Sequence, residues 1–323
     1  MKRRFTILIA GLLFAGLMLP ISARAAFPDR PITLVIPLGP GGSHDLHARG
    51  ITSIIADVLK QPMLVKFVPG SNGMKGTGFV VKAKPDGYTI LFTHNAFDQI
   101  SPQLRKVPFN PLKDLTTIAK INHGQTLLAA PVDRPYKTLK EFIAHAKKNP
   151  GKLNVAHAGA FGVGHMPELL LAKEAGIKVA YTHHKGGGAI LLSLLAGRDD
   201  AGAAFTTQAR PQVKAGKLRV LAIFGDKRLK GDPVFENVPT TVELGYTSAT
   251  FTMDRIFMAP AKTPPDRLKT LRTAFEKLTE HKSFKRFMRS IGNPVIFMNG
   301  EEYDKIRIKR YPIYGDLIKS FKK

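Results

Sequence analysis

The sequence predicts an α/β protein with parallel or mixed sheets, built as two domains. Three observations carry this expectation. Short apolar runs rich in β-branched residues alternate with stretches of helical periodicity, the pattern of strands joined by crossover helices. Several runs end in glycine-rich loops that lead straight into a helix. The length of 323 residues exceeds what one hydrophobic core usually encloses.

The stretch Pro31 to Lys60 sets the pattern. Ile32–Ile36 reads as a strand buried on both faces, and Pro37 ends its ladder. Gly39-Pro40-Gly41-Gly42 makes the turn, and Ser43 or Asp45 is placed to cap the helix behind it. There Ala48, Ile51, Ile54, Ile55, Val58 and Leu59 recur at helical spacing. Free N–H groups and the dipole at such a helix start favour an anion. Next come the strand Met63–Val68, the loop Pro69–Gly78, a short helix about Phe79–Ala83, the turn Pro85-Asp86-Gly87 and the strand Tyr88–Thr93. Thr93, His94 and Asn95, at its polar end, are expected to face a cleft. Leu127–Pro131 is a strand, and Leu139–Lys148 a helix ended by Asn149-Pro150-Gly151.

A second set of the same units follows. Lys152–Ala156 is a strand, His157–His165 its glycine loop, and Pro167 opens a helix. Lys178–Tyr181 is a strand, Lys185–Gly188 a loop, Ala189–Ala196 a helix and Leu218–Ile223 a further strand. Asp232–Tyr246 is turn-rich. Phe251–Ala259 reads as a strand, Pro264–Glu280 and Ser283–Ser290 as helices, and Val295–Phe297 as a last short strand. Glu301–Ser320 is a basic helix with a break near Tyr311-Pro312.

Residues 1–25 read as an export signal. Lys2, Arg3 and Arg4 precede an apolar run over Phe5–Leu19, and Ala23-Arg24-Ala25 supplies the small residues of a cleavage site after Ala25. The mature chain is expected to be periplasmic. It has no cysteine, so neither disulfides nor thiolate chemistry enter. The formal net charge is +25, and removal of residues 1–25 takes away four basic residues and no acid, leaving +21. That field favours anionic partners. The basic residues are dispersed and no nucleic-acid motif occurs, so nucleic acid is not expected.

Catalytic and cofactor chemistries fail on spacing. GPGGSH carries His44 at the last glycine of a dinucleotide fingerprint, and the next strand holds no acid for a ribose. Ser43-His44-Asp45 are adjacent, so their side chains diverge and form no relay. No metal-ligand spacing links the ten histidines. No cofactor and no metal are expected. What remains is a set of backbone-lined loops, two from each half, facing a cleft without catalytic equipment.

At this point the residues resemble the tripartite tricarboxylate transporter substrate-binding proteins, the Bug or TctC receptors. The marks are FPDRPITLVIPLGPGGSHD from Phe27, QPMLVKFVPGSNGMKGTG from Gln61, KPDGYTILF from Lys84 and KNPGKLNVAHAG from Lys148. They continue with HKGGGAILLSLLAGR from His184, VKAGKLRVLAIFGDKR from Val213, VPTTVELGY from Val238 and FMAPAKTPPDRL from Phe257. The resemblance implies a type II Venus-flytrap binding protein, each domain a mixed, mostly parallel sheet flanked by helices. Domain 1 would comprise 26–127 plus 251–323, and domain 2 128–250. It implies a non-enzymatic, monomeric receptor that passes a small organic anion to permease subunits. A secreted enzyme acting on a small carboxylate, or a receptor serving a sensor, are the alternatives.

The resemblance places ligand contacts at Gly39, Gly41, Gly42, Ser43, His44 and Asp45 in the first loop, and at Ala158, Gly159, Gly162, Val163, Gly164 and His165 in its counterpart. Thr93, His94, Asn95, His184, Lys185, Gly186 and Gly187 fall at the other cleft positions. Several departures bear on the ligand. His44 replaces a threonine, His184 a tyrosine, Ala204 an aspartate, and hydroxyl donors are missing at Gly162, Val163 and Gly164. Asp254 and Arg255 stand where the family has an aromatic pair. Arg255 is either a second anion contact or the partner of Asp254 in a salt bridge. If His44 and His184 flank the ligand from opposite domains, anion binding is expected to be tighter at about pH 5.5 than at about pH 8.

Overall fold

The computed structural model describes residues 26–322, and the expected export signal lies outside them. Among the described residues, eleven strands form two sheets. The first contains β1 (Ile32–Ile36), β2 (Met63–Phe67), β3 (Thr89–His94), β4 (Leu115–Gly124), β10 (Met253–Pro260) and β11 (Met298–Asn299), in the order β11-β4-β10-β3-β1-β2. The second contains β5 (Thr126–Pro131), β6 (Asn154–His157), β7 (Ala180–His183), β8 (Ala201–Phe205) and β9 (Leu218–Ile223), in the order β7-β6-β8-β5-β9. Each sheet has a parallel trio, β2-β1-β3 or β7-β6-β8, and an antiparallel strand beside it, β10 or β5. Those two strands follow the crossovers: β4 leads into β5 through Gln125, and β10 returns to the first sheet after the turn-rich segment. The expected division at Leu127 falls inside β5.

Each sheet is covered on both faces. In the first lobe, α1 (Ser43–Thr52), α7 (Pro265–Glu280) and α8 (Lys282–Ser290) pack on one face. There Leu268, Leu271, Ala274, Phe275 and Leu278, at spacings of three and four, meet Ile32, Leu34, Phe92 and Phe257. Full burial of each large apolar side chain stabilises by about 1.5–3 kcal/mol. The Phe257 ring lies 4.4 Å from Phe92 and 4.1 Å from Phe275. Helices α2 (Met74–Val81) and α9 (Gly300–Lys322) cover the other face through Val80 and Tyr303. In the second lobe, α3 (Leu139–Lys148) and α4 (His165–Ala175) lie on one face, α5 (Gly187–Leu195) and α6 (Thr206–Lys214) on the other. Helix α3 has the bounds its sequence predicts because its start is specified locally. Thr138 Oγ1 accepts from Glu141 N–H at 3.2 Å, and Leu139, Phe142, Ile143 and Ala146 are buried.

Some elements differ from the expectation. Helix α2 starts at Met74, five residues before Phe79, because Gly73 takes a left-handed φ of 82° and turns the chain into the helix early. Position 74 onward looked like loop because Gly76 and Gly78 interrupt it. At Gly76 a Cβ would lie 2.8 Å from Pro37 Cα, so close packing against the end of β1 requires glycine. Strands β4 and β8 and helix α6 were not read from the sequence. The last strand is Met298–Asn299, not Val295–Phe297.

The C-terminal helix runs unbroken through Pro312. Tertiary anchors on both sides of the proline outweigh its missing N–H. Gln103 Nε2 donates to Tyr311 C=O at 2.8 Å, and Ile318 is buried. One turn earlier, Arg307 grips Asp98, with Nε 2.8 Å from Oδ2 and a second contact from Nη2, both groups fully buried. Removing one partner from such a pair leaves a buried charge, which usually costs about 3–5 kcal/mol. Asp98→Ala should therefore lower the unfolding free energy by about 3 kcal/mol or more in urea titration. A loss below about 1 kcal/mol would show the pair to be dispensable.

Candidate functional site

The two lobes meet at the carboxyl ends of β1 and β3 on one side and of β6 and β8 on the other. Register decides what faces inward there. Antiparallel pairing sets Arg255 opposite His94 on β3 and opposite Asn122 on β4, so the three share one face of the sheet. Ser43, at the first turn of α1, reaches the same point. Arg255 Nη2 donates to Ser43 Oγ at 2.5 Å, and Nη1 to Asn122 Oδ1 at 3.2 Å and Asn293 Oδ1 at 3.1 Å. The guanidinium is fully buried, and its Nε has no partner. A Cβ at Gly124 would lie 2.9 Å from Nη1, so glycine at the crossover makes room for it.

Asp254 is not its counter-ion. Successive strand residues point to opposite faces, and Asp254 lies on the α9 side. There it accepts from Tyr303 Oη at 3.0 Å and Arg310 Nη1 at 2.9 Å, with Lys120 Nζ 3.9 Å away. Of the three buried Lys and Arg side chains among the described residues, Lys120 pairs with Asp254 and Arg307 with Asp98. Arg255 has only neutral partners. Burial pushes its guanidinium down to about 9. An uncompensated buried cation draws an anion strongly, because a bound carboxylate restores the charge balance lost on desolvation.

Histidines surround this cation. His44 packs 4.8 Å from Phe92 and 5.3 Å from His94, whose ring lies 4.1 Å from Phe97. His47 donates through Nδ1 to Ser43 C=O at 2.6 Å. Burial, with Arg255 and neighbouring imidazoles adding to it, holds His44 well below the usual range. Burial and Arg255 do the same for His47, and hold His94 down at about 3.

The second lobe contributes a histidine trio at the ends of β6 and β7. His157 and His165 stack at 3.9 Å, His183 lies 5.5 Å from His157, and Tyr181 closes on His165 at 4.7 Å. Each Nδ1 holds the glycine loop. That of His157 bonds Gly159 C=O at 3.1 Å, that of His183 accepts from Gly159 N–H at 3.2 Å, and that of His165 accepts from Phe161 N–H at 2.9 Å. Phe205, at the end of β8, joins the lobes. Its ring lies 5.9 Å from Arg255 Cζ and packs with Phe161, Val163 and Met166 in an apolar cluster that includes Ala96 and Met253 of the first lobe.

The comparisons with known proteins agree on this architecture. Residues 47–322 match the model of the tripartite tricarboxylate transporter family receptor. The UPF0065 protein of the gbd 5′ region of Cupriavidus necator is 32% identical over 94% of this chain and 93% of its own. The structure of periplasmic binding protein BugD superposes with a TM-score of 0.82 at 26% identity, covering 91% of this chain and 98% of that one. MatC from Rhodopseudomonas palustris with bound malate gives 0.80 at 28% identity, covering 90% and 100%. The chain belongs to the tripartite tricarboxylate transporter receptor family. It is a two-domain Venus-flytrap solute receptor and not an enzyme.

Within this receptor the expected contacts separate. Ser43, His44, His94 and Arg255 converge in the first lobe. Asp45 turns back to its own loop, accepting from Gly41 N–H at 2.8 Å and pairing with Arg49 at 3.0 Å, while the N-cap is Gly42 with no side-chain bond. Neither Ser43 nor Asp45 is the cap. Gly39 and Gly41 are exposed and Gly42 half-buried. Thr93 Oγ1 is buried without a partner, on the sheet face opposite His94. Asn95 clamps the start of β10, donating to Thr252 C=O at 3.0 Å and accepting from Asp254 N–H at 3.1 Å.

In the second lobe, Ala158, Gly159, Gly162 and Gly164 form the loop that the three imidazoles hold. Val163 spends its side chain in the interlobe apolar cluster. His165 stands in the trio. Gly186 and Gly187 open α5, where a Cβ at Gly187 would lie 2.1 Å from Gln208 Oε1, and Lys185 is exposed. His184 Nε2 is held by Asp199 Oδ2 at 2.7 Å, within a knot completed by Thr182 and Ser193. His44 is buried and kept neutral. Asn122 and Asn293 lacked a sequence signal, because register and loop packing bring them in.

Proposed function

We propose that this chain is a periplasmic receptor, exported by cleavage after Ala25, that encloses a small organic carboxylate between its lobes. It then delivers the ligand, as a monomer, to membrane permease subunits. The lobes of this reading are 26–124 with 253–322, and 126–249, moving about Gln125 and the segment before Met253. The observation that carries the reading is Arg255, a fully buried guanidinium with three neutral partners and no carboxylate, beside the start of α1. Ser43, His44 and His94 complete the first-lobe half, and the loop Ala158–His165 the other. The related MatC, with malate bound, supports the carboxylate class.

A thermal-shift screen of mono-, di- and tricarboxylates tests it. A ligand bound only by the folded state adds about 2.7 kcal/mol at a hundredfold excess over Kd. That amounts to about 5 °C or more in Tm for lobes of this size. No shift with any carboxylate, alongside a shift with neutral solutes, would overturn the reading.

A further inference from the structure

Resting on the reading of Arg255 as the carboxylate anchor, the geometry points to a narrower ligand class. We propose that the ligand is a monocarboxylate whose second polar group is an uncharged hydrogen-bond acceptor, such as a keto oxygen, an amide carbonyl or a pyridine nitrogen.

The first argument is charge. The first lobe offers one unpaired buried cation, Arg255. The second lobe buries no Lys or Arg among the described residues, and Lys185 is exposed. A second carboxylate enclosed against that lobe meets the backbone N–H groups of the glycine loop but no compensating cation, and burial of a carboxylate without a counter-ion is disfavoured.

The second argument is the protonation pattern of the trio, fixed by its backbone bonds. A backbone N–H only donates, so Nδ1 of His165 and of His183, which receive Phe161 and Gly159 N–H, carry no proton. The buried His165 ring is therefore neutral, with the proton on Nε2. A carbonyl only accepts, so His157 carries its proton on Nδ1, toward Gly159 C=O. His165 and His157 are kept uncharged by burial, held down at about 3 and about 4. His165 Nε2–H is then a donor in a side chain more than nine-tenths buried, and it has no partner. A buried donor without an acceptor costs about 1–3 kcal/mol. A ligand acceptor removes that cost, and a neutral donor suits a neutral acceptor. The aromatic surroundings, with Tyr181, Phe161 and the stacked His157, leave flat apolar walls around it.

Calorimetric titration of the mature protein with two matched sets tests this. One set is 4-oxopentanoate, pentanoate and glutarate, and the other is nicotinate, benzoate and isophthalate. They are run with the carboxylate screen above. The acceptor-bearing monocarboxylate is expected to bind at least tenfold tighter than both companions in its set, and to outrank di- and tricarboxylates overall. His165→Phe should weaken that acid at least tenfold, toward the Kd of its plain analogue, and leave the plain analogue within threefold. A di- or tricarboxylate as the tightest ligand, or a plain acid equal to the acceptor-bearing one, overturns the inference and leaves the receptor reading intact. Equal losses for both acids in His165→Phe also overturn it, since a structural role moves them together. Binding of no carboxylate in the screen overturns the anchor itself, and the inference with it.

Discussion

Replacing Arg255 with glutamine is expected to weaken carboxylate binding about a hundredfold or more, while the free protein keeps its stability. Truncating one partner of a buried, hydrogen-bonded charge pair usually costs 2–5 kcal/mol of binding, and a hundredfold is about 2.7 kcal/mol. The free protein behaves differently because the charge it loses has no counter-ion. Only Ser43, Asn122 and Asn293 accept from the guanidinium, and burial already pushes its proton affinity down. Glutamine retains an amide donor for Asn122 or Asn293. Replacing a buried ionic group with a neutral one of similar bulk is often neutral or stabilising. Urea titration should therefore show an unchanged or higher midpoint, and calorimetry a large loss of affinity. Dissociation constants within threefold of each other would remove Arg255 from the site.

Acid should unfold this protein steeply between about pH 6.5 and pH 4. The cause is the set of histidines buried neutral at the lobe junction. His94 and His165 are held down at about 3 and His157 at about 4, chiefly by burial, and His44 and His47 are also well below the ordinary value. In the unfolded chain each takes up a proton near pH 6.5. Below that value the unfolded state binds more protons than the native one, so stability falls with pH until the folded-state values are reached. At pH 4.5 a histidine with a native value near 3 has lost roughly 2.7 kcal/mol relative to pH 7. Two or three such rings together would consume much of a typical 5–15 kcal/mol. Urea titrations at pH 7.5, 6.0 and 4.5 should show falling midpoints, with the loss reduced in His94→Gln. A stability flat from pH 7.5 to 4.5 would contradict the burial of these rings.

Some of this was legible in the chain itself. Helix α3 and strand β9 have the bounds that periodicity gives, because each is specified by neighbours in sequence: a Thr138 cap and a four-residue buried stripe, or a short apolar run broken by Arg219 alone. Helix α2 was less legible, since Gly76 and Gly78 lower helix propensity and the contact with Pro37 that requires Gly76 comes from another element. Strand β8, Ala201–Phe205, reads as a small-residue run with no strand preference. Its place is set by pairing to β5 and β6 on either side. The unbroken helix through Pro312 likewise depends on Gln103 and Asp98, some 200 residues away in sequence.

The sequence by itself determined the fold class and the recurring strand, glycine loop and helix units. These rest on local causes: hydrophobic period, cap and turn chemistry, and backbone conformations open to glycine. Only the tertiary structure decided what the loops present to a ligand. Strand alternation sends Asp254 to α9 and leaves Arg255 without a counter-ion, and pairing of β10 with β3 and β4 ranks Asn122, Arg255 and His94 on one face. Whether a charged side chain is compensated depends on which distant residues the register brings within about 4 Å, and no local pattern encodes that.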